Sequence, residues 1–143
     1  MRCVTTISPT RGYRLAADPR VRIAVASVGL ACCAMEVDEA LRRGLLVPDE
    51  QAGAAGGRSF LLVAGTVTDA LVPVVRSLLA AAPDGTQVVS FGACAATGGP
   101  YWDAPTVAKG VDQFVPVARY VPGCPPRPES LVEGLLALVE GAP

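Results

Sequence analysis

The sequence contains no histidine. Ser-His-Asp and Cys-His catalysis, histidine-ligated haem and histidine-bearing zinc sites are therefore excluded for this chain alone. Aromatic residues make up only 5% of the chain and charged residues 17%, and the 12 Lys and Arg are scattered against 13 Asp and Glu, for a formal net charge of −1. With no basic footprint, nucleic acid is not an expected partner. Long apolar runs are missing as well. The longest strongly apolar uncharged stretch, Ile23 to Met35, covers 13 residues and contains Gly29, whereas a helix needs roughly 20 to cross a bilayer, so no transmembrane segment is expected. Met1 to Pro9 has no apolar h-region and no cleavage pattern, which reads as the absence of a secretory signal and predicts a cytoplasmic location.

What the chain does have is apolar mass and turn formers. Hydrophobic residues are 51% of its 143 residues, with 15 Gly and 13 Pro. That content excludes disorder and predicts one core built from short elements joined by tight turns. So few charges leave part of the surface to be covered by a partner. The expected organisation is a short polar leader over 1–20 and a single α/β domain over 21–143.

Val21 to Ala26 is short and β-branched and reads as a strand, with Ser27-Val28-Gly29 as its turn. Met35 to Leu46 is expected to be helical, ending before Pro48. Residues 49–57 have loop composition. The continuous apolar run Phe60 to Ala64, closed by Gly65, suits a strand buried on both faces of a parallel sheet. A helix capped by Thr66 or Thr68, with Pro73 early in it, should run to about Ala82. Gln87 to Gly92 repeats the strand pattern, Phe114 to Val117 reads as a short strand, and Pro128 to Leu138 as a closing helix with Leu131, Leu135 and Leu138 on one face. Strands alternating with helices imply a small doubly wound parallel sheet, flavodoxin-like in architecture, whose ligands lie outside the carboxyl ends of the strands.

Four cysteines fall at those ends. Cys32, Cys33, Cys94 and Cys124 are separated by 1, 61 and 30 positions, each beside a glycine or small residue. Four thiolates suit zinc or an iron–sulfur cluster. The zinc reading normally wants C-x₂-C knuckles, and none is present. An adjacent pair such as Cys32-Cys33 is awkward for one compact ion, and on a regular strand its side chains would point to opposite faces, so the backbone there must bend. A cube of four irons accepts neighbouring residues at different corners, which favours a [4Fe–4S] cluster. The competing reading is that these are buried small hydrophobes, as free cysteines often are; four at strand ends argue against it. Gly29, Gly92 and Gly123 precede the cysteines, as expected where backbone approaches a ligand closely and offers N–H groups to sulfur. Cys3, in the leader, is the odd residue out.

Gly29-Leu30-Ala31-Cys32-Cys33-Ala34-Met35-Glu36, Val63 to Thr68, Ser90 to Ala95, and Val115-Pro116-Val117 with Tyr120 to Pro126 together resemble the family of the cluster-bearing 20 kDa subunit of NADH:quinone oxidoreductase, complex I, which is related to the small subunit of [NiFe] hydrogenases. The resemblance covers most of residues 29–140. It implies that Cys32, Cys33, Cys94 and Cys124 hold one [4Fe–4S] cluster that passes single electrons to a quinone. It also implies a large catalytic subunit and other subunits as partners, and a peripheral position on the cytoplasmic side of the cell membrane, with no activity alone. Only 31 residues precede Cys32, and a Gly/Ala loop with Arg58-Ser59 stands where the family has Ser-Pro-Arg. Gly98 to Asp103 resembles the membrane-bound hydrogenase branch as much as the respiratory one. The alternative is therefore the small subunit of a membrane-bound [NiFe] hydrogenase or formate hydrogenlyase complex.

Other residues have two readings each. Glu36 either lines the path between cluster and acceptor or is a solvated carboxylate in a helix's first turn. Arg127 either balances the anionic cluster or is simply exposed. Tyr101 and Trp102 either shield the site and face a partner or are packed. The Gly65-Thr66-Val67-Thr68 turn lacks G-x-G-x-x-G and a P-loop lysine, which argues against nucleotide binding. Two further classes compete with the cluster, a flavin-binding flavodoxin-like module and a redox regulator with a Cys32-Cys33 disulfide, the latter strained and silent on Cys94 and Cys124.

Overall fold

The computed structural model describes residues 10–27, 32–49 and 57–141. Cys3, Gly29 with the rest of its turn, and most of the 49–57 loop lie outside them. Among the described residues six strands form one sheet in the order β3-β1-β2-β4-β5-β6. They are β1 (Thr10–Leu15), β2 (Val21–Ser27), β3 (Leu46–Pro48), β4 (Arg58–Ala64), β5 (Gln87–Phe91) and β6 (Arg119–Val121). β2, β4, β5 and β6 are parallel, the parallel core expected, although its last strand lies at Arg119–Val121 and not at Phe114–Val117. β1 and β3 extend it antiparallel, β1 pairing with both β2 and β3.

The helices lie on both faces. α1 (Cys32–Arg42) and α4 (Pro128–Val139) cover one apolar layer, with Ile23, Phe60, Leu62, Phe91, Leu131 and Leu135 fully buried among its members. α2 (Val72–Ala81) and the segment around residues 107–117 cover the other, around Leu61, Val63, Val67, Val75 and Val111. Central β4 is buried along five successive residues, which is why its sequence is uninterrupted by polar residues.

Four local expectations change. β1 arises inside the leader because Tyr13 and Leu15 alternate inward while Arg14 stays exposed, a half-buried strand pattern too short to stand out. The first helix starts at Cys32 and stops at Arg42, since Gly44 turns the chain at φ +74° and frees Leu46 to enter β3. Phe114 to Val117 is not a strand. Pro116 has no N–H to give a ladder, and pairing begins only at the Ala118 N–H, which donates to the Val88 carbonyl at 2.8 Å. Thr68 precedes a single 3₁₀ turn, Asp69–Leu71, without a side-chain capping bond, and α2 follows with Pro73 in its first turn.

Candidate functional site

The carboxyl ends of the parallel strands carry all four described cysteines. Cys32 and Cys33 open α1 instead of sitting on a bent strand end. Successive helical side chains point in different directions around the axis, so Cys33 turns inward, 1% exposed, while Cys32 is exposed. Cys94 is buried in the short helix α3 (Ala93–Thr97), directly after β5. Cys124 is exposed in the loop leaving β6, joined to Pro125 by a cis peptide bond.

Two backbone hydrogen bonds tie the Cys94 and Cys124 carriers together: Gly92 N–H donates to the Val121 carbonyl and Ala93 N–H to the Gly123 carbonyl, each at 2.9 Å. The Gly92 amide is thus engaged by backbone and not offered to sulfur, a change from the expected role. What Gly92 offers instead is the absence of a side chain. A Cβ there would stand 2.3 Å from Cys33 Sγ. Gly99 does the same for Cys94, whose Sγ would be 3.0 Å from a Cβ at that position. Gly123 permits the Cys124 loop to fold back, since a Cβ would meet Pro126 Cα at 2.6 Å.

The four thiols share one electrostatic environment. Burial, then the charges of Cys32, Cys94 and Cys124 together with a hydrogen bond that the Cys33 S–H donates to the adjacent Cys32 sulfur, push the Cys33 thiol from its ordinary 9.0 up to about 12. Residues distant in sequence are thus brought within mutual influence, while Cys3 lies outside the described residues. Among the described residues no three Cys, Asp or Glu side chains are arranged to hold a single metal ion. The donor set itself, four thiols without histidine, with two sulfurs laid against bare glycine backbone, fits an iron–sulfur cluster in chemistry.

The secondary candidates separate. Glu36 is half-buried in the second turn of α1, because the helix starts at Cys32, so the first-turn dipole argument does not apply to it. Arg127 is exposed at the N-cap of α4. Tyr101 and Trp102 are 55% and 60% exposed, not packed, and Met35 on α1 is 70% exposed. The Gly65–Thr68 turn is occupied by its own chain. Asp69 N–H donates to the Thr106 carbonyl, Ala108 N–H to the Val67 carbonyl, and Thr68 bridges Val107. A cavity of about 150 Å³ beside Arg22, Leu61, Leu78 and Thr86 lies at the amino ends of the strands, away from the cysteines. Sequence reasoning used the Gly98-Gly99 pair only as part of the segment, Gly98 to Asp103, that resembles the hydrogenase branch. The position of Gly99 five residues beyond Cys94 was the available signal, but a contact across the turn shows only in three dimensions.

A doubly wound domain with thiols gathered at the strand ends defines a class of redox-subunit folds, and the comparisons place the chain within it. Residues 30–138 match the family described as NADH ubiquinone oxidoreductase, 20 Kd subunit, and the chain belongs to that family. It is 46% identical over 130 residues to an NADH-quinone oxidoreductase B-type subunit of Streptomyces griseus, covering 85% of this chain and 53% of that one. It is 45% identical over 130 residues to the corresponding protein of Salinispora tropica, covering 85% and 66%. The chain therefore spans between half and two thirds of the length of these relatives. Among solved structures it resembles a chain of the membrane-bound sulfane sulfur reductase, an archaeal respiratory membrane complex, at 31% identity and TM-score 0.67, covering 82% of this chain and 67% of that one. A chain of an NAD⁺-reducing [NiFe]-hydrogenase, 21% identical, shares the fold at TM-score 0.54 over 83% of this chain and 90% of that one. No described helix is long and apolar enough to cross a membrane.

Proposed function

We propose that this chain is an electron-transfer subunit of a complex I-like NADH:quinone oxidoreductase, in which Cys32, Cys33, Cys94 and Cys124 hold one [4Fe–4S] cluster. Such a cluster, when bound, takes up and releases one electron at a time. The observation that carries the reading is the placement of four cysteines, spread over 92 sequence positions from Cys32 to Cys124, at the carboxyl end of one parallel sheet, where Gly92 lies against the Cys33 sulfur and its turn is hydrogen-bonded to the carrier of Cys124. The residues of the chain itself supply the setting. β5 and β6 deliver Cys94 and Cys124 from adjacent parallel strands, α1 delivers the vicinal pair, and burial of Cys33 and Cys94 excludes water from two of the four sulfurs. The Cys33 thiol has to give up its proton on loading, against the burial that holds it. Membership of the family supports a large catalytic subunit and other subunits as partners, quinone as acceptor, and a peripheral place on the cytoplasmic side of the cell membrane.

The test is anaerobic reconstitution of the full chain with iron and sulfide. About four irons and four sulfides per chain are expected, and tight binding of a single zinc with no iron overturns the reading. Serine at any of the four positions should remove or convert the cluster, whereas Cys3→Ser should leave its spectrum intact.

The resemblance of Gly98 to Asp103 to the membrane-bound hydrogenase branch favours a second reading, a small subunit of a membrane-bound [NiFe] hydrogenase or formate hydrogenlyase complex. The chain purified from its host with its partners decides between them. NADH-driven quinone reduction supports the first, and hydrogen or formate oxidation without NADH activity supports the second.

A further inference from the structure

We infer that Gly92 is a positioning residue for the site: its bare Cα sets where the Cys33 sulfur rests. This rests on the proposed ligand role of Cys33. The contact joins two elements remote in sequence, the β5–α3 turn and the first turn of α1. A methyl at Gly92 would lie 2.3 Å from Cys33 Sγ, 3.4 Å from Pro126 Cδ and 3.6 Å from Cys33 Cβ. Only the sulfur is in impossible contact, since the other two distances are ordinary packing. Cys33 has a single side-chain torsion, so relief must swing the sulfur to another rotamer or push α1 off the sheet. Gly92 itself cannot retreat easily, because its N–H is bound to Val121 and the next N–H to Gly123. The same turn that places Cys94 and Cys124 therefore also fixes Cys33, and one residue registers three of the four thiols. Gly99 lies less close to Cys94, 3.0 Å from its Sγ, and a methyl there also meets the Cys94 backbone N at 3.1 Å, so its effect would not be confined to sulfur.

The Cys33→Ala background isolates the sulfur contact from backbone strain, because Gly92 has φ +94° and ψ 168°, a region open essentially to glycine alone, and that strain stays when the sulfur is removed. Gly44 and Gly85, with φ of +74° and +83°, are positive-φ references at which a methyl meets nothing within 4 Å. In the cluster-free full chain, unfolding of Gly92→Ala, Cys33→Ala and the double variant forms one cycle. The expected result is that Gly92→Ala lowers the unfolding temperature more than Gly44→Ala or Gly85→Ala do, and that its penalty is clearly smaller, though not zero, when Cys33→Ala has removed the sulfur. An equal penalty in both backgrounds overturns the inference, as does a double variant that stays unfolded where Gly92→Ala alone does. In the reconstituted chain, Gly92→Ala should alter the electron paramagnetic resonance signal of the reduced cluster and speed its loss in air about tenfold, the lower end of the effect of outer contacts on metal retention. Gly44→Ala and Gly85→Ala should change neither. A wild-type signal and lifetime in Gly92→Ala overturn the inference too. If the wild-type chain takes up no iron and sulfide, the proposed function fails, and the unfolding cycle still decides the role of Gly92.

Discussion

Cys33 and Cys94 are buried, each with its sulfur against a glycine, whereas Cys32 and Cys124 are exposed where chain segments enter and leave the sheet. The difference follows from the carriers. Cys33 and Cys94 lie on helical turns facing the core, so packing decides where their sulfurs sit. Cys32 begins its helix and Cys124 stands in a Pro-Gly-Cys-Pro-Pro loop, where little but the local backbone restrains the side chain. One pair is thus part of the fold as well as of the site, and the other belongs to the site alone.

Substitution breaks the comparison most directly. Cys33→Ser or Cys94→Ser should abolish the cluster and also weaken the cluster-free protein, because a buried hydroxyl without a partner costs about 1–3 kcal/mol. Cys32→Ser or Cys124→Ser should disturb the cluster while leaving cluster-free stability within about 0.5 kcal/mol, as exposed substitutions usually do. Iron content together with denaturant unfolding of each variant checks both halves. Equal destabilisation by all four would erase the distinction.

The next largest effect is in thiol chemistry. The thiolate is the reacting form, and Cys33 is both buried and pushed up to about 12. In the cluster-free chain, iodoacetamide should modify Cys32 and Cys124 at least about tenfold faster than Cys33, as followed by peptide mass spectrometry. The same shift gives a pH dependence. An unfolded thiol ionises near 9.0 while folded Cys33 stays protonated to about 12. Above 9.0 the unfolded state therefore binds fewer protons, and stability falls as pH rises. Cys33's contribution is complete below about pH 9 and is lost toward pH 12, and Cys33→Ala should flatten that alkaline decline in thermal unfolding.

Much of this contrast was legible in the sequence and part of it was not. β2, β4, β5, α2 and α4 follow from apolar runs and helical spacing, because buried central strands are mostly apolar, with Ser90 of β5 the buried polar exception. The cysteines stood out through their number and their places beside glycine at strand ends. What stayed hidden depends on contacts made at a distance. Tyr13 and Leu15 are core residues only because β2 and β3 flank them, and Leu46 belongs to a strand because β1 is there to pair with. Likewise Gly92 reads as a neighbour of Cys94, two residues away, yet the sulfur it touches is that of Cys33.

The smallest expected effect lies on the stem of α1, which carries one cysteine of each pair. Glu39 bonds Arg42 at 2.6 and 2.7 Å and Arg43 at 2.8 Å, and Arg43 continues to Glu129 on α4. Hydrogen bonds from Arg42 and then Arg43 hold the Glu39 carboxyl down from 4.5 to about 2. A lowered carboxylate contributes stability above its unfolded pKa that is lost as pH falls through the folded one. Glu39 should therefore contribute in full above about pH 4.5 and lose its contribution toward pH 2. These groups are exposed and screened by salt, so the contribution is small. Glu39→Gln should lower thermal stability slightly near neutral pH, converge with wild type at low pH and in high salt, and leave both the alkylation order of the thiols and the iron content unchanged. A change in Cys32 or Cys33 reactivity in this variant would mean that α1 moves as a unit and that the two pairs are held by the same restraint.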